Sequence, residues 1–203
     1  MFDDQRPPAL GIWEFSAVPA GIECADAIIK GAPVETISTG TTHPGKYVVL
    51  VTGDTASVAV AGDIVSERVR PSLVDSVFLP DLAPEVAAAL LGPEQQVSVG
   101  AEAVGVVETS TIAAGINAAD AAVKHANVSL CGLRLADGLG GKAYFIVDGT
   151  VGEVAAAVEA ANDRSGEAVT DSVVIAQLTP ELRVDLEAAA RFADRVATYG
   201  NRS

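Results

Sequence analysis

The chain contains an internal repeat, which constrains its fold more than any other feature. Residues 11–30 read GIWEFSAVPAGIECADAIIK, and residues 105–124 read GVVETSTIAAGINAADAAVK. Ten of these twenty positions are identical without a gap. After a shift of two residues the match resumes, and the Gly-Lys pair at 45–46 aligns with the one at 141–142. A register held over half the chain indicates two tandem copies of one small domain.

Each copy is predicted to contain four strands and two helices in the order β-α-β-β-α-β. The short apolar runs at 9–15 and 103–109 are typical of a buried first strand. A helix follows each run, with apolar residues at helical spacing: Ile22, Ala25 and Ile29 in the first copy, and Ile116, Ala119 and Val123 in the second. The remaining elements are predicted at 34–39, 46–52, 55–69 and 75–79, and at 128–135, 142–148, 151–164 and 171–176. This order is the ferredoxin-like α+β arrangement.

The repeat also predicts the domain organisation. Residues 9–91 form the first domain and residues 103–203 the second, each closing with a helix that starts near a proline. The stretch 92–102 is predicted to be a linker, and residues 1–8 a disordered arm. That arm is polar and acidic and lacks the basic start and apolar run of a secretory signal.

Composition narrows the classes of partner. The net charge of −14 argues against nucleic acid and membranes as partners, because neither attracts an acidic surface. No apolar run approaches the roughly 20 residues that a membrane helix needs. Only 20% of residues are charged, below the usual quarter, which favours burial of further surface against copies of the chain. The two cysteines, Cys24 and Cys131, form no disulfide framework and fit the cytosol.

No catalytic pattern is visible in the sequence. The chain has two histidines, His43 and His125, and lacks C-x-x-C, G-x-S-x-G and P-loop motifs. The glycine-rich stretch at 136–141 precedes a predicted strand, whereas a dinucleotide fingerprint opens a helix. Glu14 and Glu108 occupy equivalent places in the two copies, which favours a repeated structural role over an acid–base pair. The sequence therefore predicts that the chain is not an enzyme.

Two motifs carry a resemblance to a known family. The element E-x-S-x-x-x-A-G-I-x-x-A-D-A-x-x-K occurs in both copies, at 14–30 and 108–124. The loops T-H-P-G-K-Y and G-L-G-G-K-A-Y-F occur once each, at 42–47 and 138–145. Together they resemble bacterial microcompartment shell proteins of the tandem-domain type found in propanediol-utilisation microcompartments, in which both copies keep the unpermuted element order.

The resemblance implies an assembly. Three chains form a trimeric pseudohexamer, in which six domains surround a central pore for small metabolites. This homotrimer is a tile that joins other hexameric and pentameric shell proteins in a microcompartment shell in the bacterial cytoplasm. The implied pore-lining residues are Thr42, His43, Pro44, Gly45, Leu139, Gly140 and Gly141. The implied tile-edge residues are Lys30 and Lys124.

The sequence departs from this family pattern at the pore and at the edge. Cysteine-bearing tandem relatives hold an iron–sulfur cluster at the pore, whereas here His43 stands in that loop, so no cluster is expected. Three roles remain open for His43: it is an exposed loop residue that only narrows the pore, it binds a metal ion, or it acts as a proton-linked gate. Many relatives carry P-R-P after the last strand, but residues 79–81 read LPD and residues 176–178 read AQL. The edges are therefore expected to be built differently.

Two further function classes remain open from the sequence. One is a trimeric ferredoxin-like metabolite-sensing protein, although the long effector loop of such sensors is not visible. The other is a metal- or redox-carrying protein centred on the pore. Metal analysis and absorbance of the pure protein distinguish the second class from a plain shell protein.

Overall fold

The computed structural model describes residues 8–68, 71–91, 100–136 and 138–187, with the backbone alone at residue 91. The predicted arm, apart from Pro8, and most of the predicted linker lie outside the described residues. The end of the second predicted domain, residues 188–203, also lies outside them. The domain bounds at 1–8, 9–91, 92–102 and 103–203 therefore stay predictions.

The first copy forms a four-stranded antiparallel sheet with helices. Its elements are β1 (Ala9–Phe15), α1 (Val18–Gly31), β2 (Thr36–Thr42), β3 (Lys46–Gly53), α2 (Thr55–Glu67), β4 (Leu73–Leu79) and α3 (Pro84–Leu91). The strand order is β2-β3-β1-β4. The two central strands, β3 and β1, are the first strands of the two β-α-β halves, which is the ferredoxin-like topology.

The second copy repeats this order without permutation. Its elements are β5 (Ala103–Thr109), α4 (Ile112–His125), β6 (Ser129–Leu135), β7 (Ala143–Gly149), α5 (Val151–Ser165), a 3₁₀ turn (Gly166–Ala168), β8 (Val169–Ala176) and α6 (Pro180–Glu187). The strand order β6-β7-β5-β8 is that of the first sheet. Two tandem unpermuted βαββαβ domains are thus confirmed.

Most predicted strand bounds lie within one residue of the structure, and the larger differences are in β2, β4 and β8. β2 begins at Thr36 rather than residue 34 and continues to Thr42, because Thr42 pairs with Lys46 across a short turn. Part of the predicted loop in the first copy is therefore strand. β8 begins at Val169 rather than residue 171, because Val169 pairs with Thr109 beyond a register shift in the ladder.

The first domain has its own core on one face of its sheet. Trp13 and Phe15 of β1 are buried there against Cys24 and Ile28 of α1 and Val58 of α2. Because side chains alternate along a strand, the intervening residues of β1 point to the opposite face.

That opposite face of the first sheet belongs to a core that both domains share. Leu10 and Ile12 of β1 are buried in one cluster with Ile116 and Ala119 of α4 and with Val86 of α3. Because apolar residues of both domains are buried in one cluster, the two domains form one packed unit. The second domain therefore covers a surface that the first domain cannot cover by itself.

The predicted apolar face of α1 is only partly buried. Ala25 is buried, but Ile22 is 51% exposed and Ile29 is 62% exposed. The counterpart of Ile22 in α4, Ile116, is fully buried in the core that both domains share. The first domain therefore covers the apolar face of α4. Among the described residues, nothing covers the equivalent face of α1 to the same extent.

Candidate functional site: the two pore loops and the domain junction

The fold brings the predicted pore residues of the two copies side by side. His43, Pro44 and Gly45 form the turn between β2 and β3, and Leu139, Gly140 and Gly141 lie in the matching turn before β7. A Cβ placed on Gly141 would lie 3.0 Å from the Cδ of Pro44 and 3.1 Å from the carbonyl oxygen of His43. Gly141 also has a φ of +79°, so glycine suits both the turn and the close approach.

His43 itself is exposed at the tip of the first loop, and the His43–Pro44 peptide bond is cis. Thr42 is half-buried as the last residue of β2. Neither cysteine lies in these loops, because Cys24 is buried in α1 and Cys131 in β6. Within the described residues no group of three metal-binding side chains comes together. One chain therefore offers the first loop a single imidazole.

A lysine joins the two loops. The Nζ atom of Lys46, directly after the first loop, donates to the carbonyl oxygen of Gly141 at 3.3 Å and to Oε2 of Glu14 at 2.9 Å. Glu14 is fully buried on β1. The lysine thus fixes the second loop relative to the first sheet.

The same glutamate also binds the second domain. Its Oε1 atom accepts from the backbone N–H of Ala113 at 2.7 Å. Ala113 is the second residue of α4, where N–H groups have no partner within the helix and attract negative charge. Glu14 therefore links its own strand, Lys46 at the start of β3 and the start of α4 in one mostly buried cluster.

Three further polar contacts cross the junction between the domains. Oδ1 of Asp120 in α4 accepts from the backbone N–H of Ala83 at 2.7 Å. Lys124 pairs with Asp120 at 2.8 Å and donates to the carbonyl oxygen of Asp81. The hydroxyl of Thr111, which caps α4, contacts the carboxylate of Asp75 in β4. Lys124 thus has a role within the chain, and its predicted tile-edge role stays a prediction.

The counterparts of these groups are more open. Lys142 pairs with Glu108 at 3.1 Å, and their side chains are 43% and 36% exposed. Lys30 pairs with Asp26 at 2.6 Å on the surface of α1. His125, at the end of α4, is exposed as expected. The carboxylates at the junction, Glu14 and Asp120, are therefore buried, whereas their counterparts Glu108 and Asp26 have side chains that are 36% and 60% exposed.

Sequence reasoning assigned Glu14 a structural role, and the structure agrees. It missed Lys46 and Lys142 as the partners of the two glutamates. The duplicated sequence contained the information, because both the glutamate and the lysine recur at equivalent positions. Each pair forms because two strands are neighbours in the sheet, β1 and β3 in the first domain and β5 and β7 in the second. The sequence positions of the residues do not show which strands are neighbours.

Both cysteine thiols are predicted to be unreactive in the folded chain. Burial raises the pKa of Cys24 to about 11, and burial together with the nearby Asp148 carboxylate raises the pKa of Cys131 to about 12. At pH 8 alkylation of either thiol should be at least about a hundredfold slower than in denaturant, because the thiolate is the nucleophile. Mass spectrometry after timed iodoacetamide treatment measures the rates, and equal rates with and without denaturant would contradict the burial.

The raised pKa values also give a pH dependence of stability. In the unfolded chain the thiols ionise near about 8.5, whereas in the folded chain they stay protonated to higher pH. The unfolded state therefore loses protons first, and this contribution to stability should fall as the pH rises above about 8.5 toward 11.

The class of protein follows from the family comparison. The model of the BMC domain matches the chain twice, at residues 9–82 and 103–178. These two matches span both sheets described above and coincide with the repeat. The chain belongs to the BMC domain family and is a bacterial microcompartment shell protein of the tandem-domain type.

Particular relatives support this assignment. The chain is 38% identical over 159 residues to the bacterial microcompartment shell protein PduT of Citrobacter freundii, covering 78% of this chain and 85% of that protein. It is also similar to the crystal structure of a microcompartments protein from Desulfitobacterium hafniense, with a TM-score of 0.73 and 32% identity over 88% of this chain and 99% of that one.

A third comparison concerns the fold alone. A fused permuted hexameric shell protein from the RMM microcompartment is similar with a TM-score of 0.56 and 21% identity, covering 78% of this chain and 83% of that chain. In the parts of the chain that the structure describes, no helix is both long and apolar enough to cross a bilayer.

Proposed function

We propose that three copies of this chain form a ring of six domains around a central pore, and that the ring is a tile of the microcompartment shell. The role is structural rather than catalytic. The observation that carries this proposal is the packing of the second domain on the first. Such a head-to-tail contact closes into a ring when it repeats through a rotation that returns to the start.

The residues by which α4 of the second domain packs on the first domain have counterparts in α1 of the first domain, and these counterparts are exposed. Ile116 of α4 is fully buried at the junction, and its counterpart Ile22 of α1 is 51% exposed. Val123 packs against the shared core, whereas its counterpart Ile29 is exposed. Large apolar side chains left open on a helix favour a partner that covers them.

The second domain displays the complementary surface. Val86 of α3 is fully buried by the junction, and its counterpart Leu182 of α6 is 41% exposed. Val77 of β4 packs against the shared core, whereas Val173 of β8 is exposed. The surface of α6 and β8 in one chain is therefore suited to pack against α1 of the next chain, as α3 and β4 pack against α4 within a chain.

In this ring the two pore loops of each chain meet those of its neighbours around one axis. His43 would then occur three times, alternating with Gly140 of the second loop. Exposed turns with accessible backbone groups suit the passage of small polar metabolites. Other shell proteins, hexameric and pentameric, are the partners of such a tile.

Electron microscopy tests the proposed tile directly. Class averages of the purified full chain should show particles with six lobes and a central opening. Two-lobed particles at the same concentration would contradict the ring. Imaging at two ionic strengths controls for association by charge, since a contact built on apolar side chains should persist in salt.

The pore is predicted to hold no iron–sulfur cluster. Such clusters are held chiefly by thiolates, and the first loop offers an imidazole at His43. Anaerobic reconstitution of the wild type should therefore give no visible charge-transfer absorbance, whereas the His43→Cys variant should gain it. A stable cluster in the wild type, lost in Cys24→Ala or Cys131→Ala, would contradict this assignment.

His43 is also the residue through which the pore would bind a metal ion. Three imidazoles on one axis suit zinc with an open fourth position. Metal analysis of wild type and His43→Ala distinguishes this role from a histidine that only narrows the pore. Zinc at one per three chains, lost in His43→Ala, supports the metal role, and equal metal content in both proteins rejects it.

Contacts between tiles are proposed to involve Lys30 and Lys124. Three chains at −14 each give a tile of −42, so neighbouring tiles repel unless cations lie at the edge. Lys30 is the cleaner test, because its side chain is 72% exposed and its ion pair among the described residues lies within α1, whereas Lys124 also binds Asp81 across the junction.

The Lys30→Ala variant should leave the ring intact and impair sheet formation, with an effect that shrinks as salt screens the edge. Sedimentation and electron microscopy of both assemblies measure this. Lys124→Ala should in addition lower the free energy of unfolding by about 1–2 kcal/mol, because it leaves the largely buried Asp120 without its cation. Loss of the ring itself in Lys30→Ala would place that lysine inside the tile rather than at its edge.

A further inference from the structure

The junction within one chain contains a complete polar cluster. Lys46 donates to Glu14 of its own domain and to the Gly141 carbonyl of the other domain, and Glu14 accepts from Ala113 at the start of α4. Each of these bonds is charge-assisted, and the glutamate is fully buried. The cluster therefore needs both domains to be complete.

The second domain contains half of the same cluster. Glu108 precedes a register shift in the sheet, as Glu14 does. Its partner on the neighbouring strand, Tyr144, lies two residues after Lys142, as the partner of Glu14, Val48, lies two residues after Lys46. The Glu108–Lys142 pair is formed at 3.1 Å, yet both side chains remain partly exposed. The pair thus lies at the equivalent register position of the second sheet, and no domain within the described residues covers it.

We propose that the Glu108–Lys142 pair is the contact by which a second copy of the chain closes the ring, and that Pro19 makes this contact weaker than its counterpart within the chain. This proposal rests on the proposed tile. The carbonyl of Gly45 in the second copy is the counterpart of Gly141 and accepts from Lys142. The start of α1 in that copy faces Glu108, as the start of α4 faces Glu14.

The weakening follows from two differences at the helix starts. Ala113 is the second residue of α4 and donates its N–H to Glu14, whereas the second residue of α1 is Pro19, which has no N–H. Thr111 caps α4 and contacts Asp75, whereas Ala17 precedes α1 and makes no side-chain cap. The junction between chains therefore retains the hydrogen bond from Lys142 to the Gly45 carbonyl. It lacks the hydrogen bond from a backbone N–H at the helix start to Glu108.

This difference predicts which junctions of the ring separate first. The two domains of a chain stay joined, and the ring opens at the junctions between chains. It also gives a gain-of-function test, because the missing donor is restored by a single substitution on an exposed helix start.

The experiment measures the dissociation of the full-chain trimer by mass photometry over a dilution series at fixed salt. Pro19→Ala should tighten association by about tenfold per junction, the usual size for a hydrogen bond to a charged group. Lys142→Met should weaken it by about tenfold or more. Lys46→Met is the matched control, because it removes the lysine bonds of the junction within the chain and should lower stability against urea more than it changes association.

A double-mutant cycle separates the hydrogen bond from a general effect of proline on the helix. In a Glu108→Gln background the gain from Pro19→Ala should shrink to about threefold or less, since the acceptor is then neutral. An undiminished gain would overturn the proposal, as would unchanged association of Lys142→Met. A wild-type chain that is monomeric at all concentrations would instead contradict the tile on which the proposal rests.

Discussion

Replacing Glu14 with alanine should lower the free energy of unfolding by about 3–5 kcal/mol. The substitution leaves Lys46 without its carboxylate partner in a mostly buried position and removes the acceptor from the start of α4. Breaking a buried ion pair by removing one partner has a cost of about this size. Urea unfolding followed by circular dichroism, at a concentration low enough for single chains, measures the change.

The matched control is Glu108→Ala. This glutamate occupies the equivalent place, but its side chain and that of Lys142 are partly exposed. An exposed ion pair contributes about 1 kcal/mol or less. Equal losses of stability for the two variants in single chains would contradict the distinction between a complete and an open junction.

The second large effect is expected at Ile22. An aspartate there would place a charge on the open face of α1, which the proposed ring buries. Burying an unpaired charge at the junction should cost about 4 kcal/mol, or roughly a thousandfold in affinity, at each junction. The chain should therefore be monomeric at micromolar concentration and still folded by circular dichroism.

Two controls accompany Ile22→Asp. The same change at its counterpart, Ile116→Asp, should unfold the chain, because Ile116 is buried in the core that both domains share. Val60→Asp on α2 should change neither association nor folding, since Val60 is an exposed residue of a helix outside the junction contacts. A folded trimeric Ile22→Asp variant would show that α1 does not face a neighbouring chain.

Much of the fold could be predicted from the repeat. Two copies in one register fixed the number of domains, and the apolar runs at 9–15 and 103–109 placed the first strands at the residues where they occur. The bounds of β2 and β8 were less accurate. They depend on the pairing of Thr42 with Lys46 and of Val169 with Thr109, which local composition does not show.

The exposure of the repeated helices could not be predicted from periodicity. α1 and α4 have the same pattern, and yet Ile22 is exposed where Ile116 is buried. A helical pattern states which residues share a face, whereas the domain that covers the face is set by the tertiary arrangement. For the same reason Lys124 was predicted as an edge residue alone, although it also binds Asp81 across the domain junction.

The residues of the two loops were predicted as pore residues through the family resemblance, and that role stays a prediction. The structure shows why the two loops come together within one chain. The two turns meet because the domains pack side by side and Gly141 leaves room for Pro44. Lys46, which holds them, was not among the predicted residues. Its role required knowing that Glu14 lies on the neighbouring strand and also accepts from the second domain.

The mass of the full chain in solution tests the central claim most directly. One chain is 20.6 kDa, so a ring of three chains has a mass of about 62 kDa. Native mass spectrometry or sedimentation equilibrium at micromolar concentration should give that mass for the wild type and about 20.6 kDa for Ile22→Asp. A wild-type mass of one chain, or of two, would contradict the ring of six domains.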